Sequence, residues 1–296
     1  MVELKSTIPE KNLTIAIFGL GLIGSSLAQA FKRHTNHTVK GFARSERVRK
    51  LALEMKALDF APETPELTAE DADILIFCVP PAAMVESIRQ ALPKIKPGAI
   101  ITDVASIKGQ ILEEIPPLLP DHVTFVGGHP MAGSEKGGFE NGDPDLFIDR
   151  PFLFLTHSTS PQEVLRVLEE MAKQIGARPI LIPAEAHDRA AAEISHASHV
   201  IASLLVLQAA HSPGADWNFQ MAAGGFRDMT RVASGNPELW TDICLANREE
   251  IALALESLEN WSEKFRHALK NQDSAAIQTW LAEAAEIRNN RFHFPK

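Results

Sequence analysis

The first half of the chain alternates short apolar runs with longer stretches of helical periodicity. Five β-rich runs occur there, at 13–19, 37–43, 71–80, 98–106 and 123–128. Helical patterns occupy 22–34 and 45–58, the second of them opening on a serine N-cap. The run DADILIFCVP is continuously apolar and ends at two prolines, which is typical of a strand buried on both faces. Strands that alternate with helices predict a parallel, doubly wound sheet.

The second half changes from this alternating pattern to a helical one. Two further strands, 150–157 and 177–184, flank a helical stretch. After residue 184 the chain is rich in alanine and leucine, and we expect one long helix over 184–211 and another over 237–272. The sequence therefore predicts a Rossmann-type α/β domain over 1–183 and an all-α domain over 184–296.

Composition and charge restrict the class of function. The chain has 296 residues and a net charge of -9, which disfavours nucleic acid as a partner. The N-terminus has no signal-peptide core and no apolar run reaches about 18 residues, so we expect a cytoplasmic protein without membrane association. Tyrosine is absent, which excludes short-chain dehydrogenases with a catalytic tyrosine. The helical half carries more apolar surface than a small bundle can hide, which favours a homodimer.

A glycine-rich turn follows the first strand. Gly19, Gly21 and Gly24 form the pattern G-x-G-x-x-G between a strand and a helix, the context required of a dinucleotide-binding fingerprint. Glycines there allow a tight turn and close backbone approach to a pyrophosphate, and the helix N-terminus supplies N–H donors. The alternative is a glycine-rich turn without a ligand.

The end of the second strand bears on the choice between NAD and NADP. An acid at this point binds the ribose 2′-hydroxyl of NAD. Arg44, Ser45 and Arg47 stand here instead, which favours the 2′-phosphate of NADP; Glu46 leaves NAD open. Arg49 is expected on a solvated helix face. The predicted cofactor-binding residues are Gly19, Leu20, Gly21, Leu22, Ile23, Gly24, Arg44, Ser45, Arg47, Val79 and Asp103.

Polar clusters follow the later strands and recur in the helical half. Ser106 and Lys108 come soon after a strand, and His129 lies within VGGHPMAGSEKGG, whose composition predicts a permissive loop rather than a strand. His196 and His199 are three residues apart on one helix face. His196 can also be read as a core histidine. The spacing gives poor support for a metal site, and we expect none.

Five motifs in this order resemble the prephenate/arogenate dehydrogenase family of tyrosine biosynthesis. They are G-x-G-x-I-G-x-S, D-x-x-S-x-K, G-x-H-P-M-A-G-x-E, S-H-x-x-H and F-R-D-x-T-R. The resemblance covers roughly residues 13 to 285 and adds no mutase or regulatory ACT domain. It implies oxidative decarboxylation of prephenate to 4-hydroxyphenylpyruvate, with hydride transfer to NADP or NAD.

The same resemblance assigns roles to the polar clusters. His129 takes the proton of the substrate hydroxyl, as a neutral imidazole is suited to do, and Ser106 is its catalytic partner. Arg231 grips a substrate carboxylate. The remaining residues assigned to the substrate site are His199, His196, Glu135, Asp228 and Lys108; Lys108 alternatively holds the loop or the cofactor.

Three other functions stay open from the sequence. An arogenate or dual-specificity cyclohexadienyl dehydrogenase differs only in the substrate side chain. A β-hydroxyacid dehydrogenase or imine reductase shares the two-domain plan. Such an enzyme would be expected to carry a lysine on the first long helix after the domain boundary, and residues 184–211 contain no lysine. An NADP-sensing regulator would bind the cofactor without turnover and would tolerate loss of His129.

Overall fold

The computed structural model describes residues 12–134 and 136–291. Eight strands are found in this part of the chain: β1 Thr14–Phe18, β2 Thr38–Phe42, β3 Ile74–Phe77, β4 Ile100–Asp103, β5 Thr124–Val126, β6 Gly128–Pro130, β7 Pro151–Thr156 and β8 Arg178–Pro183. The first five form a parallel sheet in the order β2-β1-β3-β4-β5. From β1 the chain continues to β2 on one side of the sheet, and from β3 it continues to β4 and β5 on the other side. The carboxyl ends of β1 and β3 therefore flank a topological switch point.

Side chains of the central strand β3 explain why this sheet is buried on both faces. Ile74 and Ile76 belong to one hydrophobic cluster, and Leu75 and Phe77 belong to another. Successive residues of a strand point to opposite faces, so a continuous apolar run supplies two cores. Phe18 of β1 stacks on Phe77 with ring centroids 4.4 Å apart.

Helices cover both faces of the five-stranded sheet. Six of them belong to this half: α1 Leu22–His34, α2 Glu46–Glu54, α3 Pro65–Ala69, α4 Pro81–Ala91, α5 Gly109–Glu114 and α6 Gln162–Gln174. Leu27 and Phe31 of α1 pack in the cluster of Ile74, whereas Met84 and Ile88 of α4 pack in the cluster of Leu75. The predicted doubly wound α/β fold is confirmed.

Strands β6, β7 and β8 form a separate three-stranded sheet, in which β6 is antiparallel to β7 and β7 is parallel to β8. The prediction of an irregular loop around His129 is wrong at its start, because His129 is the middle residue of β6 and pairs with Leu153. A glycine makes this strand possible. A Cβ on Gly128 would lie 2.5 Å from the backbone oxygen of Asp103, so only glycine lets β6 approach β4 so closely.

The remaining helices are α7 Ala184–Ala191, α8 Ala197–His211, α9 Ala215–Met221, α10 Gly224–Thr230, α11 Pro237–Ala246, α12 Arg248–Lys270 and α13 Ser274–Arg291. The predicted helix 184–211 is present, with a π-helical segment at Ala192–His196 inside it. The predicted helix 237–272 is in fact two helices separated at Asn247, whose side-chain amide lies 3.1 Å from the buried Nδ1 of His196.

The chain divides into two compact units. Unit 1 is Met1–Asp188 with Ser234–Ala246, and unit 2 is Arg189–Ala233 with Asn247–Lys296. By length and composition, the helix Ala184–His211 could cross a membrane, and about a third of its most apolar window is buried. The core helix of a soluble protein passes the same test, so this helix is not a clear membrane span.

Unit 2 has little core of its own. Its buried apolar residues, within the described ranges, are Ala191, Ala192, Ala197, Ala202, Ile251 and Ala268. Large apolar side chains are exposed instead, among them Leu204, Trp217 and Met221, the last at 77%. A unit of this size needs a larger buried core to be stable alone.

Candidate active site

The glycine fingerprint forms the turn between β1 and α1. Gly19 adopts a φ of +94°, a conformation that other residues rarely take. A Cβ on Gly24 would overlap the backbone oxygen of Gly19, so α1 can pack against this turn only if residue 24 is glycine. Val79, just beyond β3, lies against the same turn, since one of its methyl groups would touch a Cβ on Gly19. The glycines hold the turn tight beside the carboxyl end of β3.

The first turn of α1 presents its N–H groups without a competing acceptor. Its N-cap is Gly21, no side chain caps it, and no acidic residue lies in its first turn. A helix start of this kind is suited to a phosphate group. Leu20 is buried and packs in a hydrophobic cluster, so its contribution to a cofactor is limited to the backbone. Leu22 and Ile23 open the helix at the same place.

The side chains after β2 have different surroundings. Arg44 is exposed, and the Ser45 hydroxyl accepts a hydrogen bond from Val48 N as the N-cap of α2. Arg47 pairs with Glu140 at 2.8 Å on the surface. The expectation for Arg49 is wrong: its guanidinium donates to the carbonyl oxygen of Ala43 at 2.6 Å and fixes the turn. Arg47 and Arg49 are thus both engaged in contacts within the protein.

A buried ion pair organises the loop between β4 and α5. Lys108 Nζ contacts the Asp103 carboxylate, and neither side chain has exposed surface. Lys108 also donates to Ala105 O at 2.8 Å, and Asp103 accepts from the backbone N–H of Ala105 and Gly128. Burial lowers the pKa of Lys108, and the neighbouring carboxylates of Asp103 and Asp188 oppose that shift.

This pair bears on two predicted contacts. Neither side chain has exposed surface, so the predicted contacts of Asp103 with a cofactor and of Lys108 with a substrate gain no support from their burial and stay predictions. Both instead shape the loop that carries Ser106, a partly buried residue between them in sequence. The alternative that Lys108 holds the loop is the one that the geometry favours. The Asp103 carboxylate also bonds the backbone at the start of β6, which brings the loop and His129 into one cluster.

His129 is connected to two residues that the sequence did not single out. Its Nδ1 lies 2.9 Å from Nε2 of His187, and Nδ1 of His187 lies 2.7 Å from Oδ1 of Asp188. Asp188 also accepts the backbone N–H of Lys108 at 2.8 Å and of Gly109 at 2.7 Å. His187 and Asp188 stand early in α7 without a motif around them. The only sequence signal for these two residues is that a histidine and an aspartate are adjacent.

The environment of Asp188 keeps its carboxylate charged. Burial raises its pKa, but hydrogen bonds from the His187 ring and from the backbone of Gly109 and Lys108 together outweigh burial, so the pKa lies below its ordinary value. A charged carboxylate next to one ring of a histidine pair can fix where the protons of the pair sit. The arrangement suits a site that accepts one proton at His129.

Unit 2 carries the other predicted site residues. His196 lies in the π-helical segment with no exposed surface, and its contact with Asn247 agrees with the core alternative. His199 is 7% exposed in the first turn of α8, and burial lowers its pKa. Asp228 pairs with Arg227 at 2.9 Å on the surface. Arg231, also exposed, follows α10 directly.

Glu135 falls outside the residues that the structure describes. Across the described ranges, no group of three or more histidine, cysteine, aspartate or glutamate side chains could hold a metal ion.

Comparison with known proteins identifies the family of the chain. Two family descriptions match the chain: "Prephenate dehydrogenase, nucleotide-binding domain" over residues 27–181 and "Prephenate dehydrogenase, dimerization domain" over residues 183–283. Prephenate dehydrogenase of Lactococcus lactis is 37% identical over 281 residues, which are 93% of this chain and 76% of that one. Cyclohexadienyl dehydrogenase of Zymomonas mobilis is 33% identical over 277 residues, 93% of this chain and 94% of that one.

A solved structure gives the same fold. Prephenate dehydrogenase of A. aeolicus in complex with hydroxyphenyl propionate and NAD+ has a TM-score of 0.85 over 96% of this chain and 99% of that one, at 24% identity. Together with the two matched domains, which span most of the sequence, these likenesses show that the chain belongs to the prephenate dehydrogenase family.

Proposed function

We propose that this member of the family, an NAD(P)-dependent dehydrogenase, converts prephenate to 4-hydroxyphenylpyruvate and carbon dioxide. The observation that carries the proposal is the position of His129, held on β6 beside the Asp103–Lys108 loop and backed by His187. Prephenate is a cyclohexadienol with a ring carboxylate and a hydroxyl at C4. Loss of hydride from C4 and of the carboxylate as carbon dioxide makes the ring aromatic, which drives the reaction.

His129 is the general base of this reaction. It takes the proton of the C4 hydroxyl, which lets the C–O bond gain double-bond character as the hydride leaves. When the ring becomes aromatic, the same proton returns to the oxygen as the phenol forms, so the reaction releases no net proton. Ser106 hydrogen-bonds the hydroxyl and orients it toward His129. A buried imidazole can serve as this base, because the proton that it accepts returns to the product and does not have to reach solvent.

The cofactor site is the β1–α1 turn. NAD(P), when bound, supplies the nicotinamide ring that accepts the hydride. The uncapped first turn of α1 binds the pyrophosphate, and the packing of Gly19 and Gly24 lets the backbone approach it. Arg44 gives a preference for NADP through a charge-assisted contact with the 2′-phosphate, because an arginine stands where an acid would bind the ribose of NAD and the nearest acid, Glu46, lies in the first turn of α2.

Residues of unit 2 bind the substrate carboxylates. Arg231 offers a planar fork that matches a carboxylate. His199, whose lowered pKa favours the neutral ring, donates one hydrogen bond from a ring N–H. His196 supports His199 from the preceding helical turn, and Asp228 and Glu135 set the charge around Arg231. We place the boundary between the cofactor and substrate domains after residue 183.

A second substrate is arogenate, which differs from prephenate by an amino group in place of the side-chain keto group. The specific observation in its favour is the likeness to a cyclohexadienyl dehydrogenase over 94% of that protein's length. The ring chemistry and the role of His129 are the same for both substrates.

Steady-state rates test the proposal directly. Prephenate or arogenate is given with NAD or NADP, and formation of reduced cofactor is followed. We expect turnover that falls about 10²- to 10⁴-fold in His129→Asn, the usual contribution of a general base, with cofactor affinity unchanged. Turnover by His129→Asn at the wild-type rate would remove His129 as the base. No turnover of either substrate by the wild type, with NADP still bound, would favour the sensor instead.

A cytoplasmic homodimer completes the proposal. Unit 2 buries few large apolar residues but exposes many, such as Leu204, Trp217 and Phe219. A second copy of unit 2 would bury these side chains and supply the missing core. Light scattering after gel filtration is expected to give twice the mass of one chain. A stable, active monomer at micromolar concentration would contradict this part of the proposal.

A further inference from the structure

A chain of two short contacts links His129 to the partly exposed carboxylate of Asp188 in unit 1. Asp188 Oδ1 faces His187 Nδ1 at 2.7 Å, and His187 Nε2 faces His129 Nδ1 at 2.9 Å. His187 has no exposed surface and His129 is 6% exposed. Both contacts are of ordinary hydrogen-bond length, so each must contain one proton.

The carboxylate determines where these protons lie. An ionised aspartate only accepts hydrogen bonds, so His187 must carry its proton on Nδ1. In neutral His187, Nε2 then holds a lone pair and accepts. His129 must therefore donate from Nδ1, and the lone pair of its neutral ring is on Nε2. Two contacts thus specify a single tautomer for both rings.

We propose that His187 and Asp188 are positioning residues that hold His129 in the tautomer and orientation in which Nε2 receives the proton of the substrate hydroxyl. The proposal rests on the proposed role of His129 as the base. It adds His187 and Asp188, which take no part in the proposed reaction steps. His187 acts only through His129 and touches no reacting atom.

The same contacts stabilise the charged state of His129. Once Nε2 has taken the proton, His129 is an imidazolium whose Nδ1–H donates to His187, and the Asp188 carboxylate supports that bond from behind. When the proton returns to the product oxygen, the original tautomer is restored. No proton has to leave the site.

Asp188 also ties this pair to the loop of Ser106. It accepts the backbone N–H of Lys108 and of Gly109, at the start of α5. Among the described residues, the charged groups tied to this cluster include Asp188, which contacts His187, and the Asp103–Lys108 pair, whose carboxylate accepts the backbone N–H of Gly128 next to His129.

Variants of His187 separate positioning from packing. His187→Phe keeps a ring but removes the acceptor for His129 Nδ1–H, whereas His187→Gln keeps a carbonyl oxygen able to accept it. We expect the single-turnover rate of cofactor reduction to fall about 10- to 100-fold in His187→Phe, comparable to removing the partner that orients a ligand histidine, and to recover most of that loss in His187→Gln. KM for the substrate should change little.

A matched control is available in the same unit. His37 is also buried, and it bonds Leu13 N through Nδ1 and Gln174 through Nε2. His37→Phe should lower stability without lowering the rate per folded enzyme. The acid limb of the rate profile should move to lower pH in His187→Phe, because the imidazolium of His129 loses its support, and should not move in His37→Phe.

A double variant distinguishes this proposal from the proposed function. Since His187 acts through His129, adding His187→Phe to His129→Asn should slow the enzyme no further. The positioning role would be overturned if His187→Phe kept the wild-type rate and acid limb. It would also be overturned if His187→Phe slowed the His129→Asn variant by as large a factor as it slows the wild type. An undiminished rate in His129→Asn alone would instead refute the base assignment on which the proposal rests.

Discussion

The buried Asp103–Lys108 pair allows a stability prediction whose size depends on its burial. Lys108→Met keeps the length of the side chain and removes the ammonium group. The Asp103 carboxylate would keep the hydrogen bonds from Ala105 N at 2.9 Å and Gly128 N at 3.1 Å, but its charge would have no partner. The carbonyl oxygen of Ala105 would also lose its bond from Nζ.

The expected loss is large because the pair has no exposed surface. Removing one partner of a buried pair costs about 3–5 kcal/mol of unfolding free energy, since the other charge stays buried without compensation. An exposed pair contributes only about 0–1 kcal/mol. Lys32 offers the exposed comparison, because it pairs with Asp59 while their side chains are 29% and 33% exposed. The two Lys→Met variants should therefore differ several-fold in their effect.

Urea unfolding of the full-length enzyme measures the difference. Lys108→Met should lower the transition midpoint strongly, and Lys32→Met should hardly change it. Adding Asp103→Asn to Lys108→Met removes the uncompensated charge and should restore part of the stability, about 1–2 kcal/mol. If the urea midpoint of Lys108→Met were no lower than that of Lys32→Met, the Asp103–Lys108 pair would contribute no more than a surface pair does. Burial would then not determine the size of the stability loss.

Three further outcomes are expected. Gly24→Ala places a Cβ against the backbone of Gly19, so it should weaken NAD(P) binding at least about 100-fold by titration calorimetry, with circular dichroism confirming that the variant is folded. Arg44→Ala should raise KM for NADP about tenfold and leave KM for NAD unchanged, in steady-state assays. Hydrogen bonds lower the pKa of Asp188, so its stabilising effect is present above the unfolded pKa of about 3.9 and is lost as pH falls through the folded value; unfolding at several pH values should show Asp188→Asn and wild type converging in acid.

Periodicity and short motifs predicted most of the fold. The apolar run of β3 and the glycine pattern after β1 are local signals, and each has one structural solution: a strand with two buried faces and a tight turn into a helix. The prediction failed where tertiary contacts overrode local composition. Gly128 and His129 look like a loop in sequence, but pairing with β7 makes them a strand.

Helix boundaries show the same limit. The stretch 237–272 has an unbroken helical pattern, yet the helix stops at Asn247, whose amide lies next to the ring of His196. These two residues are distant in sequence, so no local pattern could indicate the break. The π-helical segment that contains His196 has no sequence signal either, because its extra residue is accommodated by packing.

The sequence likewise predicted the membership of the candidate site better than the contacts of its side chains. Residues with fixed spacing, such as Asp103, Ser106 and Lys108, could be found from sequence, but not the fact that Asp103 and Lys108 are paired in the interior. Spacing identifies which residues belong to a motif, whereas burial decides whether a side chain touches a ligand or supports another side chain. The assignment of Asp103 to the cofactor stays a prediction, and its buried pairing with Lys108 instead indicates a supporting role.

His187 marks the point at which motif reasoning ends and geometry becomes necessary. It stands 58 residues from His129 in the sequence, on the first helix after the last strand, among alanines that give no hint of chemistry. Its role follows only from two distances and from the rule that a carboxylate cannot donate a hydrogen bond. If that reasoning is correct, the basic nitrogen of the enzyme is determined by Asp188, a residue two hydrogen bonds away from it. The tautomer of His129 is then a property of the fold, and disrupting the contact between α7 and β6 should cost rate before it costs cofactor binding.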